Sequence, residues 1–198
     1  MVRSSKNSNT QLLHVPENMV TTVIDAIITP LDPRQVLANA TEQLGQLLRV
    51  SRCVAMLNRP EWQGSHLPIE WCSSGGDSSL DRLSLNIAHH IRNQIAELGD
   101  PINVTDTMNS PSCEPIHEEL KALGVQSFLG VSVVHRAEPI ATVILSQCDL
   151  VREFTPEEIS LVRRICHYIG IALAHSLYAG GLSRRVERYQ AVLDHSLD

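Results

Sequence analysis

The chain has 198 residues, with 16 Lys and Arg against 22 Asp and Glu and a formal charge of −6. That length suits one domain with extensions, and 43% apolar residues suffice for a packed core, which excludes a disordered chain. Mild acidity, with no Lys/Arg run longer than the pairs Arg163-Arg164 and Arg184-Arg185, argues against nucleic acid or an anionic membrane as the main partner.

No apolar run approaches the roughly 18–20 residues that span a bilayer. Met1 to Thr10 is polar, without the apolar core of a signal peptide, so a cytoplasmic protein is expected. The cysteines Cys53, Cys72, Cys113, Cys148 and Cys166 are odd in number and form no CxxC pair, which fits neither a disulfide framework nor a structural zinc site. Two Trp, three Tyr and two Phe are too few for a stacking platform for single strands.

Residues 1–15 carry no periodicity and are expected to be mobile. A helical stripe then runs Val20, Val23, Ile24, Ile27, Ile28 and Leu31, ending near Pro30. Asp32-Pro33 restarts a helix with an N-cap and a proline at its first position, and Val36, Leu37, Ala40, Leu44, Leu47 and Leu48 form its stripe. Residues 53–57 and 67–72 read as strands around a loop holding Pro60 and Gly64, and Ser73 to Ser79 reads as a turn. Leu83, Ile87, Ile91, Ile95 and Leu98 recur at helical spacing up to Gly99.

A short strand is expected at 102–104 and a short helix at 114–123. The strongest strand pair is 127–135 with 140–147, joined by a four-residue turn, Arg136 to Pro139. Thr155-Pro156-Glu157-Glu158 has the spacing of a capping box, which starts a helix through Ile159, Val162, Ile165, Cys166, Ile169, Leu173 and Leu177. Gly180-Gly181 should weaken or break it before a second stripe of Leu182, Val186, Tyr189 and Leu193. Few strands are separated by crossover helices. The order therefore predicts an α+β fold, a central antiparallel sheet of five or six strands with amphipathic helices on both faces.

Over roughly residues 16–178 the chain resembles a GAF domain. The features that carry this are the Leu-x-x-Leu-Gly-x-Leu-Leu helix before the first strand, the hairpin from Ser127, the Phe-Thr-Pro-Glu-Glu-Ile helix start and the Ile-Gly-Ile-Ala-Leu-Ala helix end. Ser110 to Gln147 looks most like GAF domains of cyanobacterial sensor proteins, including bilin-binding photoreceptors related to phytochromes. In those a Cys-His pair opens the short helix before the hairpin, and the Cys bonds the chromophore. The matching pair here is Ile116-His117, so the histidine fits and the attachment cysteine is absent, with Cys113 three residues upstream. Residues 187–198 are similar to the first helix of a PAS domain or to a signalling helix. The expectation is a GAF sensory domain at 16–178 and a linker or PAS-like segment at 179–198, within a longer two-component signalling protein.

The resemblance implies Cys113, His117 and Leu120 near the mouth of a ligand pocket between the sheet and residues 84–123. His117 and Cys113 also have plainer readings: a helix-start histidine bonding backbone, and a loop thiol that Glu114 would not activate. Cys113-His117, His89-His90 and Cys166-His167 supply too few converging ligands for a metal. Catalysis is not expected, because no nucleophile, base and orienting group converge. Free methionine sulfoxide reductases on this fold use clustered cysteines, and only Cys113 lies in the corresponding stretch. A cyclic-nucleotide signature is absent at Ser146 to Leu150.

Val20, Ile24 and Ile27, with Ile159, Val162, Cys166, Ile169 and Leu173 at near-heptad spacing, suggest a parallel homodimer of helices. Three functions stand: a sensor of an unknown small molecule acting on an output domain such as a histidine kinase or on a response regulator, a bilin photoreceptor, and a ligand-free dimerisation module.

Overall fold

The computed structural model describes residues 17–58, 68–73, 82–98 and 101–195. The segment 1–15, the loop holding Pro60 and Gly64, most of the turn up to Ser79 and the Gly99 stop lie outside the described residues. The chain opens with two helices, α1 (Glu17–Ile28) and α2 (Pro33–Leu48). The Asp32 side chain accepts the Arg34 N–H at 3.0 Å, and Pro33 enters the helix where no N–H is needed. Arg49 ends α2 in the left-handed region at φ 51°.

Strands β1 (Arg52–Leu57) and β2 (Ile69–Cys72) follow, then α3 (Arg82–Leu98) and β3 (Ile102–Val104). A 3-10 helix (Pro111–Ile116) runs into α4 (His117–Ala122), and the hairpin β4 (Ser127–His135) and β5 (Glu138–Gln147) leads to α5 (Pro156–His195). The five strands form one sheet in the order β2-β1-β5-β4-β3, with antiparallel neighbours throughout.

Alternation along the strands splits the core into two layers. Cys53 and Ala55 of β1, Leu129 and Val131 of β4 and Val143 and Leu145 of β5 face α1, α2 and α5. Val54, Met56, Phe128 and Ile144 face the other way, against Ile87 and Ile91 of α3, the 3-10 helix and α4. The expected α+β architecture, an antiparallel sheet with amphipathic helices on both faces, is what the chain forms.

Three local expectations are corrected. The hairpin turn has two residues rather than four: Arg136 (φ 50°) and Ala137 (φ 65°) join His135 to its partner Glu138. Two positive φ values give the backbone twist that matches paired strands, even without Asn-Gly. Pro139 therefore lies in β5, tolerated because the register slips between Val133 and Val134 beside it. The short helix starts earlier, since the 3-10 turn takes in Cys113 and Glu114. Gly180-Gly181 does not break α5, whose backbone stays helical to His195. Glycine costs a helix only about 1 kcal/mol relative to Ala, unlike proline.

Two glycines set the packing of helices on the sheet. A Cβ at Gly170 of α5 would lie 2.6 Å from the Val134 carbonyl oxygen, and one at Gly45 of α2 would lie 2.0 Å from Trp71 Cε3. The helices approach this closely because those positions carry no side chain.

Candidate functional site

The face of the sheet under α3 and α4 holds the candidate site. From α3, His90 and Gln94, one turn apart, both donate to the carbonyl of Ser112 in the 3-10 helix, His90 Nε2 at 3.0 Å. This ties α3 to the segment that carries Cys113 and His117. Gln94 is 8% exposed and its Oε1 has no hydrogen-bond partner, and the same holds for the buried Nε2 of His117. Such a buried, unpaired polar atom costs about 1–3 kcal/mol unless something else supplies the bond.

Two of the three expected site residues are not at a pocket mouth. Cys113 and Leu120 are both fully buried in the core layer shared with Ile91 and Phe128. Burial pushes the Cys113 thiol up, only partly offset by the hydroxyls of Ser112 and Ser110, so it is a poor nucleophile. Ser112 Oγ is 3.9 Å from its sulfur. His117, the first residue of α4, is half-buried. The apolar spacing of a short helix does not distinguish a wall from a rim, and Leu120 is part of the wall.

The open space lies at the other end of this face. A narrow cleft of about 20 Å³ is bounded by Arg52, Val54, Ile87, Val125, Ile144 and Ser146. It meets a wider, solvent-open cleft of about 360 Å³ along Ser51, Arg52, Cys72, Cys148 and Asp149, and Arg52 and Leu123 border both. Arg52 Nη1 is 2.6 Å from Glu70 Oε1. None of these residues was singled out from sequence for a site. The one available signal was the break in apolar alternation at Arg52, heading an otherwise buried strand.

From the wider cleft a chain of hydrogen bonds leads to α5. Ser51 Oγ donates to Asp149 Oδ1 at 3.0 Å, and Gln147 Nε2 donates to Ser51 Oγ at 3.1 Å and to Asp149. The Gln147 bond and its neighbours hold the Asp149 carboxyl below its usual value. Arg152 Nη1 donates to Gln147 Oε1 at 3.3 Å and to the Leu48 carbonyl at 2.9 Å, and its Nη2 lies 2.6 Å from Glu158 Oε1. Glu158 and Thr155 then close the expected capping box: the Thr155 N–H donates to Glu158 Oε2 at 3.0 Å and the Glu158 N–H to Thr155 Oγ1 at 3.3 Å.

The residues expected to pair two copies are spent within the chain. Val20, Ile27, Val162, Cys166, Ile169 and Leu173 are at most 5% exposed, and Ile24 and Ile159 are half-buried. With that stripe α5 packs on the sheet and α1 packs on α2 and α5, leaving Met19, Ile28 and Ile171 outward at 51%, 45% and 44% exposure.

Among the described residues no helix is long and apolar enough to cross a membrane, and no group of three or more His, Cys, Asp or Glu side chains could hold a metal ion. A family model for the GAF domain matches residues 32–173, more than half of the chain. No curated protein matches. The fold is similar to that of the phycoerythrobilin-bound GAF domain from a cyanobacterial phytochrome, at 16% identity and TM-score 0.65 over 83% of this chain and 97% of that one. It is also similar to the GAF domain of a phosphoenolpyruvate-protein phosphotransferase from Coxiella burnetii, at 16% identity and TM-score 0.63 over 88% and 99%. A third likeness is to the GAF domain of the cyanobacteriochrome TePixJ, at 15% identity and TM-score 0.61 over 77% and 95%. At these identities the likeness is one of fold.

Proposed function

We propose that this chain, which belongs to the GAF domain family, is the sensory input of a two-component signalling protein. It binds a small ligand on the α3 and α4 face and passes the change through its terminal helices to an output domain, such as a histidine kinase. The observation that carries the ligand reading is two buried polar atoms without partners, Gln94 Oε1 on α3 and His117 Nε2 at the start of α4. A ligand donating to one and bonding the other would relieve both costs. Binding biases the domain only through its differential affinity for two arrangements of the helices. The bonded path from Asp149 through Gln147 and Arg152 to the Glu158 cap is the route by which the sheet end reaches α5.

A bilin is the second reading, favoured by His117 standing where the resemblance to bilin-binding GAF domains places the histidine of their Cys-His pair. Ile116 stands where the attachment cysteine would be and Cys113 is buried, so the pigment would be held without a covalent bond. The cleft of about 20 Å³ has room for about one water, so a linear tetrapyrrole would require α3 to move outward.

In either reading two copies associate through the outward faces of α1 and α5, with Met19 and Ile171 at the contact and the 40-residue α5 continuing as a paired helix. The helix is about 60 Å long at 1.5 Å per residue, enough to carry a rotation away from the sheet.

The test is expression alone and with a bilin-producing pathway, followed by an absorption spectrum, a denaturing gel and a thermal-shift screen of metabolites. Colour lost on denaturation supports the bilin reading. A rise in melting temperature with a colourless metabolite, abolished in His117→Ala, supports the metabolite sensor. A colourless protein with no thermal response to any compound overturns both and leaves a dimerisation module.

A further inference from the structure

We propose that His175 makes the pairing of two α5 helices pH-dependent, protonation of its ring at the seam between two copies driving them apart. This rests on the reading that α5 continues as a paired helix, and the phase of that helix carries it. Because the backbone stays helical across Gly180-Gly181, one count of turns holds from Pro156 to His195. Steps of four, three and four residues from Ser160 keep to a single face, since each 11-residue repeat closes about three turns. Where α5 packs on the rest of the chain these steps land on Ser160, Arg164, His167, Ile171 and His175, and all five are exposed. Further along they land on Tyr178, Leu182, Val186, Tyr189 and Leu193. Gly180 is about two and a half turns from Ile171, and so on the opposite side of the helix.

The stripe changes character along its length. Ser160, Arg164 and His167 are polar and two copies of Arg164 repel, so close pairing sets in at Ile171. From Ile171 to Leu193 the stripe has seven positions, and six of them are apolar or aromatic. His175 is the exception, one turn from both Ile171 and Tyr178. The occupant this face fits is a second copy, since the same stripe laid parallel and in register sets apolar positions on apolar ones, and an 11-residue repeat lets two such helices run side by side. In that arrangement each position faces its own counterpart, and His175 meets His175 of the partner subunit.

Histidine is the side chain whose charge ordinarily changes between pH 5 and 8. When neutral, two imidazoles can share a hydrogen bond across the seam, as a single polar position does when it fixes register. When protonated, both rings are donors only, carry like charges and must shed water to pair, which favours the separate helices. Pairing therefore releases protons and weakens as pH falls. One turn away on its own helix stand Ile171, Ala172, Tyr178 and Ala179, none of them a carboxylate that could hold the charged ring. The elements packed against α5 are α1, α2, β4 and β5, whose charged or titratable groups are Glu17, Asp25, Arg34, Glu42, His135 and Glu138. Among the described residues none of these is bonded to His175.

The test is sedimentation equilibrium of the full chain at constant ionic strength between pH 8 and pH 5.5, for the parent, His175→Leu and His167→Leu. The parent should dimerise at pH 8 with a Kd that rises at least about tenfold by pH 5.5. His175→Leu alters an exposed side chain of the single copy, so it should fold as the parent does and dimerise about equally at both pH values. His167→Leu should keep the parent's response. Ile171→Cys should form a disulfide to the same position of its partner on mild oxidation at pH 8, identified by mass spectrometry of the linked peptide. A Kd indifferent to pH, a response that survives in His175→Leu or vanishes in His167→Leu, or a dimer without that link overturns the proposal and leaves some pairing of the chain standing. A monomer at every pH overturns the paired helix and the proposal with it.

Discussion

Arg152 and Glu158 meet at 2.6 Å, with side chains 16% and 8% exposed, where the end of α2, the end of β5 and the start of α5 converge. The same guanidinium caps the Leu48 carbonyl and lies 4.8 Å from the centroid of the Phe154 ring, so one side chain joins three elements. Replacing it with Met would leave the Glu158 carboxylate largely buried without its cation, a loss of about 3–5 kcal/mol. Arg152→Lys should recover little, because a single ammonium cannot reproduce the planar fork to three acceptors. Urea unfolding of both variants measures this, and a loss below about 1 kcal/mol would show the contact to be incidental.

The close approach of α5 to the hairpin makes Gly170 a sensitive position. Gly170→Ala meets a backbone carbonyl that cannot rotate away, so it should destabilise by about 1–3 kcal/mol despite the better helix propensity of alanine. At Gly124 there is open space and the strain is conformational, with φ at +69°. Gly124→Ala should therefore cost less, about 1 kcal/mol. Melting temperatures of the two variants rank them, and equal values would refute the packing argument.

Asp149 makes stability fall in acid. Its folded value lies below the ordinary 3.8 because Gln147, then Ser51 and local N–H groups, bond the carboxylate. The contribution is complete above about pH 4 and is lost as pH falls through the lower folded value. Denaturation midpoints at pH 5 and pH 3 should differ less in Asp149→Asn than in the parent. An unchanged difference would mean that other carboxylates set the slope, among them Asp106, which Asn109 also depresses.

Gly180 and Gly181 mark the weakest stretch of α5 by propensity. Substituting Ala at both should stabilise the helix by about 1 kcal/mol per site and increase the helical signal in circular dichroism. No gain in ellipticity would mean that helix formation there is governed by something other than local propensity.

Much of the fold was legible in the sequence. Asp32-Pro33 and Thr155-Pro156-Glu157-Glu158 marked two helix starts because capping needs particular atoms at fixed short spacing, and the side chains bond as that spacing demands. The richness of 127–135 and 140–147 in Val, Ile and Leu marked the central hairpin. Its turn length was not legible, since Arg136-Ala137 carries no turn chemistry and the bulge at Val133 and Val134 arises from the pairing itself.

The candidate site was legible only in part. His117 could be singled out by resemblance, whereas its counterpart Gln94 sits 23 positions earlier on another helix, without a motif. By itself, the sequence determined the caps, the apolar periods and hence the α+β architecture, all properties set by neighbours within about one turn or one hairpin. Only the tertiary structure decided that Val162, Ile169 and Leu173 face the chain's own sheet, that Cys72 and Cys148 share a cleft, and that Arg152 links that cleft to the start of α5. Those contacts join residues far apart in the chain, and a side chain's partner across such a gap is fixed by how the layers pack rather than by local spacing.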